Sequence, residues 1–182
     1  MGEPSDALNR RRITSPCPPL ANDPLMTTDV APRRPTWDEY FLAMAEQVST
    51  RSPDPNTKHG CVLVDAGKRV LSTGYNGPVA GLPHELVPTE RPDKYDWYVH
   101  AEDNAVIFAR CDLRGATAYV TGTPCAPCFR RLLQVGIKRV VHGGRQSACL
   151  SDREIAACRA MANALGVSWE TVDDSGTGTV KV

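Results

Sequence analysis

Between Tyr98 and Cys128 the chain carries His100-Ala101-Glu102 and then Pro124-Cys125-Ala126-Pro127-Cys128. One imidazole and two thiols form a borderline-soft ligand set that suits zinc, and three protein ligands leave a fourth coordination position for water. Cys125 and Cys128 lie three residues apart, so on a helix they share a face and can chelate one ion per chain. In a first helical turn the unpaired N–H groups and the helix dipole favour thiolates over thiols. Pro127 fits the same placement, because a first-turn residue has no intrahelical N–H partner to lose. Glu102 is a carboxylate two residues from the histidine, at hand to take a proton from water and pass it on. A purely structural zinc site is the competing reading and wants a fourth protein ligand. His59, His84 and His142 are available, but none has a partner at metal-ligand spacing, and such a site makes no use of Glu102. A metal-free redox Cys-x-x-Cys is the third reading.

These groups need a scaffold to converge. Thr36 with Glu39 is a capping-box pattern, and Trp37, Phe41, Met44 and Val48 mark one face of a helix ending near Thr50. Strands are expected over 60–65 and 69–75, joined hairpin-fashion through Ala66-Gly67-Lys68. The apolar run from Cys61 to Val64 reads as a strand covered on both faces. A long loop, rich in proline and charge, then runs from Asn76 to about Val99. Its length inside a compact domain and its entry into His100 point to a pocket wall or lid. Helices follow over 101–110, 125–135 and 151–165, alternating with strands over 116–121, 138–142 and 167–172. Gly136 and Gly166 are placed as helix C-caps. The order implies one mixed five-stranded sheet sandwiched by helices in an α/β fold, its last three strands parallel through right-handed crossovers.

The chain has 182 residues, enough for one sizeable core. The domain is expected over 36–172, between a proline-rich N-terminal tail (1–35) and a frayed C-terminal tail (173–182). Arg10-Arg11-Arg12 and Arg33-Arg34 read as solvated. With 21 basic and 21 acidic residues, no net field draws the protein to nucleic acid or to an anionic membrane. The absence of a spanning apolar run or signal peptide leads to a cytoplasmic expectation, in which thiols stay reduced. Seven cysteines, two of them in the metal-like pair, do not read as a disulfide framework.

At these residues the chain resembles the zinc-dependent cytidine/deoxycytidylate deaminase superfamily, and within it the deoxycytidylate (dCMP) deaminase family. The likeness covers roughly Trp37 to Val172. It is carried by Trp37-x-Glu39-Tyr40-Phe41, Arg51-Ser52-x-Asp54-Pro55, Gly74-Tyr75-Asn76-Gly77, His100-Ala101-Glu102-x-Asn104-Ala105, Pro124-Cys125-x-x-Cys128 and Gly136-Ile137-Lys138. The resemblance implies a cytidine-deaminase-like three-layer α/β/α sandwich and zinc held by His100, Cys125 and Cys128. It further implies proton transfer by Glu102, a deoxyribose contact from Asn76, and a 5′-phosphate contact from Arg51. A small-molecule nucleotide is the expected substrate, with dCMP giving dUMP and ammonia. A homo-oligomer, up to a hexamer, is the implied assembly, and regulation by dCTP and dTTP occurs in some relatives. The chain departs from the family at His59, where relatives look aliphatic, and at Pro83-His84-Glu85, which lacks an accessory cysteine cluster. It also departs at His142-Gly143-Gly144-Arg145-Gln146-Ser147, which lacks a tyrosine. The alternatives are a deaminase of another nucleotide, nucleoside or base, and a tRNA adenosine deaminase, which would need a basic face. A non-catalytic zinc module is the remaining alternative.

Overall fold

The computed structural model describes residues 33–145, 150–172 and 179–181. The tail reading over residues 1–32, and the readings of the His84 and Arg145 side chains and of residues 146–149, lie outside the described residues. Helix α1 (Trp37–Ser49) opens on the expected capping box: Thr36 N donates to Glu39 Oε2 at 2.6 Å and Glu39 N to Thr36 Oγ1 at 3.2 Å. Strands β1 (Gly60–Val64) and β2 (Val70–Tyr75) form the hairpin. Short strands β3 (Gly77–Pro78) and β4 (Tyr98–Val99) pair with one another at the two ends of the long loop. Then come α2 (Ala101–Phe108), β5 (Thr117–Gly122), α3 (Ala126–Gln134), β6 (Arg139–Arg145), α4 (Asp152–Leu165), β7 (Ser168–Val172) and β8 (Thr179–Lys181).

The main sheet runs β2-β1-β5-β6-β7-β8. β5, β6 and β7 are parallel, and β1 is antiparallel to both of its neighbours. The expected five-stranded mixed sheet is therefore present, and its edge carries one more strand. β8 pairs antiparallel with β7, so the frayed-tail expectation fails at 179–181. Three residues following a Gly-Thr-Gly run are too few to register as a period-2 signal. β6 also outruns its expected end at His142, because the Gly143-Gly144 pair has little strand propensity of its own. Gly143 sits so close to β5 that a Cβ there would fall 2.7 Å from Thr121 O.

Strand alternation divides the core. Val62, Val64, Tyr119 and Val141 face α1 with Phe41 and Ala45. Cys61, Leu63, Ala118, Val120 and Val140 face the other way, onto α2, α3 and α4 through Ala101, Ala105, Phe129, Leu132 and Cys158. Covering on both faces is why β1 reads as an unbroken apolar run. α1 is tied to the sheet by charge as well. Arg139 donates to Asp38 at 2.7 and 2.8 Å and also to Glu170, and Tyr119 OH donates to Asp38 at 2.8 Å. The bonds from Arg139 hold the Asp38 carboxyl below its usual range.

The position that matters most for the site is Gly74. A Cβ there would lie 2.2 Å from Ala101 O and 2.3 Å from Ala105 N. The first turn of α2 rests directly on β2, and no side chain fits between them.

Candidate active site

Four helices start in two different ways. α1 and α4 begin with Thr36 and Ser151, each closing a capping box on its own helix. α2 and α3 begin with His100 and Cys125, and neither side chain makes a capping hydrogen bond. These two cap positions, usually occupied by residues that satisfy the helix end, instead turn their side chains toward one another. His100 Nδ1 lies 3.4 Å from Cys125 Sγ and 3.3 Å from Cys128 Sγ, and the three ligand atoms all fall within 4.8 Å of each other. Cys128 is the third residue of α3, with Pro127 before it. The sequence expectation that both thiols lie within the first turn becomes more specific here, with Cys125 as the cap and Cys128 on the helix.

The electrostatics suit a metal. Hydrogen bonds from Cys128 and His100 pull the Cys125 thiol down to about 4, whereas the bond to Cys125 pushes Cys128 well up. The same contact with Cys125 raises His100 to about 9. The lowered Cys125 thiol favours a thiolate ligand, and metal binding displaces the protons of the other ligands. One imidazole nitrogen and two sulfurs, gathered at two helix N-termini, fit the donor set of a zinc site with an open position. A structural site would need a fourth ligand, and among the described residues no further His, Cys, Asp or Glu joins these three.

Glu102 sits beside the cluster in the first turn of α2 and is 6% exposed. Burial pushes its carboxyl up to about 7, which suits a group that must both accept and release a proton near neutral pH. His100, Glu102 and Cys125 open into one pocket of about 450 Å³, within the ~300–1,000 Å³ typical of small-molecule sites. Ala101 of α2, Val120 and Gly122 of β5 and Tyr98 of β4 also line it. The connecting segments supply the rest of its wall: Asp54, Thr57, His59, Asn76, Arg91, Lys94, Tyr95 and Thr123. The long loop between β3 and β4 is a wall of this pocket, as its length and position suggest.

Asn76 lines the pocket, yet its side chain also ties the wall together. Its Oδ1 accepts from His59 N at 2.7 Å and its Nδ2 donates to Thr57 O at 2.9 Å. One amide hydrogen and one lone pair remain for a ligand. Arg51 is placed differently from the expectation: it is exposed in the turn after α1 and does not line this pocket. Two cations do line it. Lys94 is bound to Asp54, whereas among the described residues Arg91 donates to the Thr57 hydroxyl, at 3.0 Å, and lies over the Tyr95 ring. Neither Arg91 nor Lys94 carries a local signal. Their only clue is membership of the loop that joins Asn76 to His100. His59, the departure noted above, sits in the pocket wall with its Nδ1 3.2 Å from Thr121 Oγ1. His142 lies outside the pocket lining, and burial pushes its pKa down.

The family model for the cytidine and deoxycytidylate deaminase zinc-binding region matches residues 35–144. The deoxycytidylate deaminase of Homo sapiens is 32% identical over 145 residues, spanning 73% of this chain and 78% of that protein. The deoxycytidylate deaminase of Mycobacterium phage D29 is 41% identical over 124 residues, 60% of this chain and 95% of the phage protein. Among solved structures, the dCMP deaminase of cyanophage S-TIM5 superposes with a TM-score of 0.60 at 24% identity, over 77% of this chain and all of that one. That structural likeness concerns the fold.

Proposed function

Since this chain belongs to the cytidine and deoxycytidylate deaminase family of zinc enzymes, we propose that it hydrolyses the 4-amino group of dCMP, giving dUMP and ammonia. The observation that carries this reading is a buried carboxylate, Glu102, sharing one pocket with a His-Cys-Cys metal cluster. His100, Cys125 and Cys128 would hold the zinc. Zinc bound there supplies Lewis acidity that brings a water molecule's pKa toward ~7. Glu102 takes one proton from the water and delivers it to the ring nitrogen of the base. It then takes the second from the hydroxyl newly bonded to C4 and passes it to the amine, which leaves as ammonia as the C4 carbonyl forms. Its carboxyl ends the cycle as it began.

Similarity to relatives named deoxycytidylate deaminase supports a nucleotide monophosphate, and a cyanophage relative has been solved with dCMP and dUMP. Asn76 offers its spare donor and acceptor to the deoxyribose hydroxyl. For the 5′-phosphate the sequence expectation was Arg51, but of the two cations that line the pocket Lys94 is held by Asp54, and Arg91 is a planar fork suited to phosphate. We assign the phosphate contact to Arg91. Arg91→Ala is expected to raise KM for dCMP by about 10–100-fold, the loss of a charge-assisted contact of ~1.5–3 kcal/mol, with little change for deoxycytidine. Arg51→Ala is expected to leave both unchanged. Steady-state kinetics of the two variants on the two substrates tests this, and the reverse pattern would return the role to Arg51.

We further propose that the chain self-associates and works in the cytosol. Ile107 and Phe108 at the end of α2 are 65% and 61% exposed, adjacent apolar side chains of the kind that oligomer interfaces cover. Ile107→Asp with Phe108→Asp is expected to reduce the mass seen by light scattering to that of one chain. No helix among the described residues is long and apolar enough to cross a membrane.

A further inference from the structure

The pocket wall between β3 and β4 has an unusual anchor. Residues 79–97 contribute Arg91, Lys94 and Tyr95 to the pocket, but Lys94 is the only buried residue described in that segment, at 2% exposure. A loop this long is normally fastened by apolar side chains in the core. Here the side chain that goes inside is a lysine, a residue almost never buried unless paired.

Its partner is Asp54. Lys94 Nζ donates to both carboxylate oxygens, at 2.9 and 2.8 Å, and the two side chains are 3% and 4% exposed. The same carboxylate accepts from Asn56 N at 2.8 Å and Thr57 N at 3.1 Å, fixing the turn that follows. Thr57 then meets both pocket residues already discussed: its carbonyl accepts from Asn76 Nδ2 and its hydroxyl from Arg91. One chain of bonds therefore runs from Lys94 through Asp54 and Thr57 to Asn76, and returns to the wall at Arg91. Burying two charges is seldom the most stabilising way to fill a space, and retained pairs of this kind are best attested as devices that fix register. Lys94 is also unsuited to be the phosphate cation, because its charge is already met by Asp54.

We propose that the Lys94–Asp54 ion pair is the latch that positions the pocket wall, making Lys94 and Asp54 positioning residues for substrate binding. The inference rests on reading this pocket as the nucleotide site, but the latch can be measured without any nucleotide. Burial pushes the Asp54 carboxyl up, yet the Lys94 ammonium and the two N–H groups outweigh it and hold Asp54 ionised down to acid pH.

The test compares Lys94→Met, Asp54→Asn and the double variant with the wild-type, all zinc-loaded. Each single change is expected to raise amide hydrogen exchange across 79–97 by at least about tenfold, because it leaves one charge buried without its partner. KM for dCMP rises by about tenfold or more, with kcat and zinc content within about threefold of wild-type. The double variant is expected to fall well short of the product of the singles, as coupled residues do. Unchanged exchange in the singles, or effects that simply multiply in the double, overturns the latch. Loss of zinc and of cooperative unfolding in all three assigns the pair to fold stability, which also overturns it. Raised exchange in a protein whose wild-type form deaminates no nucleotide keeps the latch and removes the nucleotide reading.

Discussion

Glu102→Gln is expected to lower kcat by about 10³–10⁴-fold while leaving zinc content and thermal unfolding unchanged. Glutamine has the shape of the carboxylic acid, so the first turn of α2 keeps its packing against Gly74 and the pocket keeps its volume. What it lacks is an exchangeable acid proton. A single positioned proton-transfer group is worth roughly 10²–10⁴-fold, and the upper end applies because Glu102 serves both the water and the departing amine. Zinc content stays because Glu102 is not one of the three clustered ligands. Turnover and metal content measured on one preparation separate the roles. A variant with normal zinc and near-normal turnover would remove Glu102 from the mechanism.

The second large effect concerns the metal. Cys125→Ala is expected to weaken zinc binding by more than about 100-fold, beyond the ~10–100-fold that loss of an outer-shell partner causes, and to abolish turnover with it. Cys125 is the cleaner choice of the two cysteines. It caps α3 and is only partly buried, whereas Cys128 is fully buried and its truncation would also open the core. Zinc affinity should also fall as pH is lowered, in wild-type protein. His100 is held up to about 9 by Cys125, so below that pH the incoming metal has to displace its proton. Competition with a chromophoric chelator across pH 6–9 reads both effects. An affinity independent of pH, or equal in Cys125→Ala and wild-type, would contradict the ligand set.

What was legible in the sequence was what is local. His100, Glu102, Cys125 and Cys128 occupy two short runs whose residue types name the chemistry directly. The helices announce themselves by caps such as Thr36 with Glu39, and the strands by apolar runs such as Cys61 to Val64. What was not legible depends on pairs far apart in the chain. Lys94 looks like any solvated loop lysine until Asp54, forty residues earlier, is placed against it. Arg91 acquires a role only because that pairing folds its loop over the pocket. Arg51 was read from a motif, yet the turn after α1 leaves it at the surface. The ends of β6 and β8 were hidden by glycine and by shortness, since a three-residue strand owes its pairing to the neighbour it meets.

The central claim is that this pocket selects a cytosine nucleotide monophosphate and removes its amino group. The most direct measurement is ammonia release by the zinc-loaded protein, compared as kcat/KM across dCMP, dCTP, deoxycytidine, cytidine and guanine. The proposed Arg91 contact leads us to expect dCMP ahead of deoxycytidine by about 10-fold or more, the worth of one phosphate contact, with dUMP as the product. Turnover confined to a nucleoside or free base, or none on any of the five at full zinc occupancy, would contradict it.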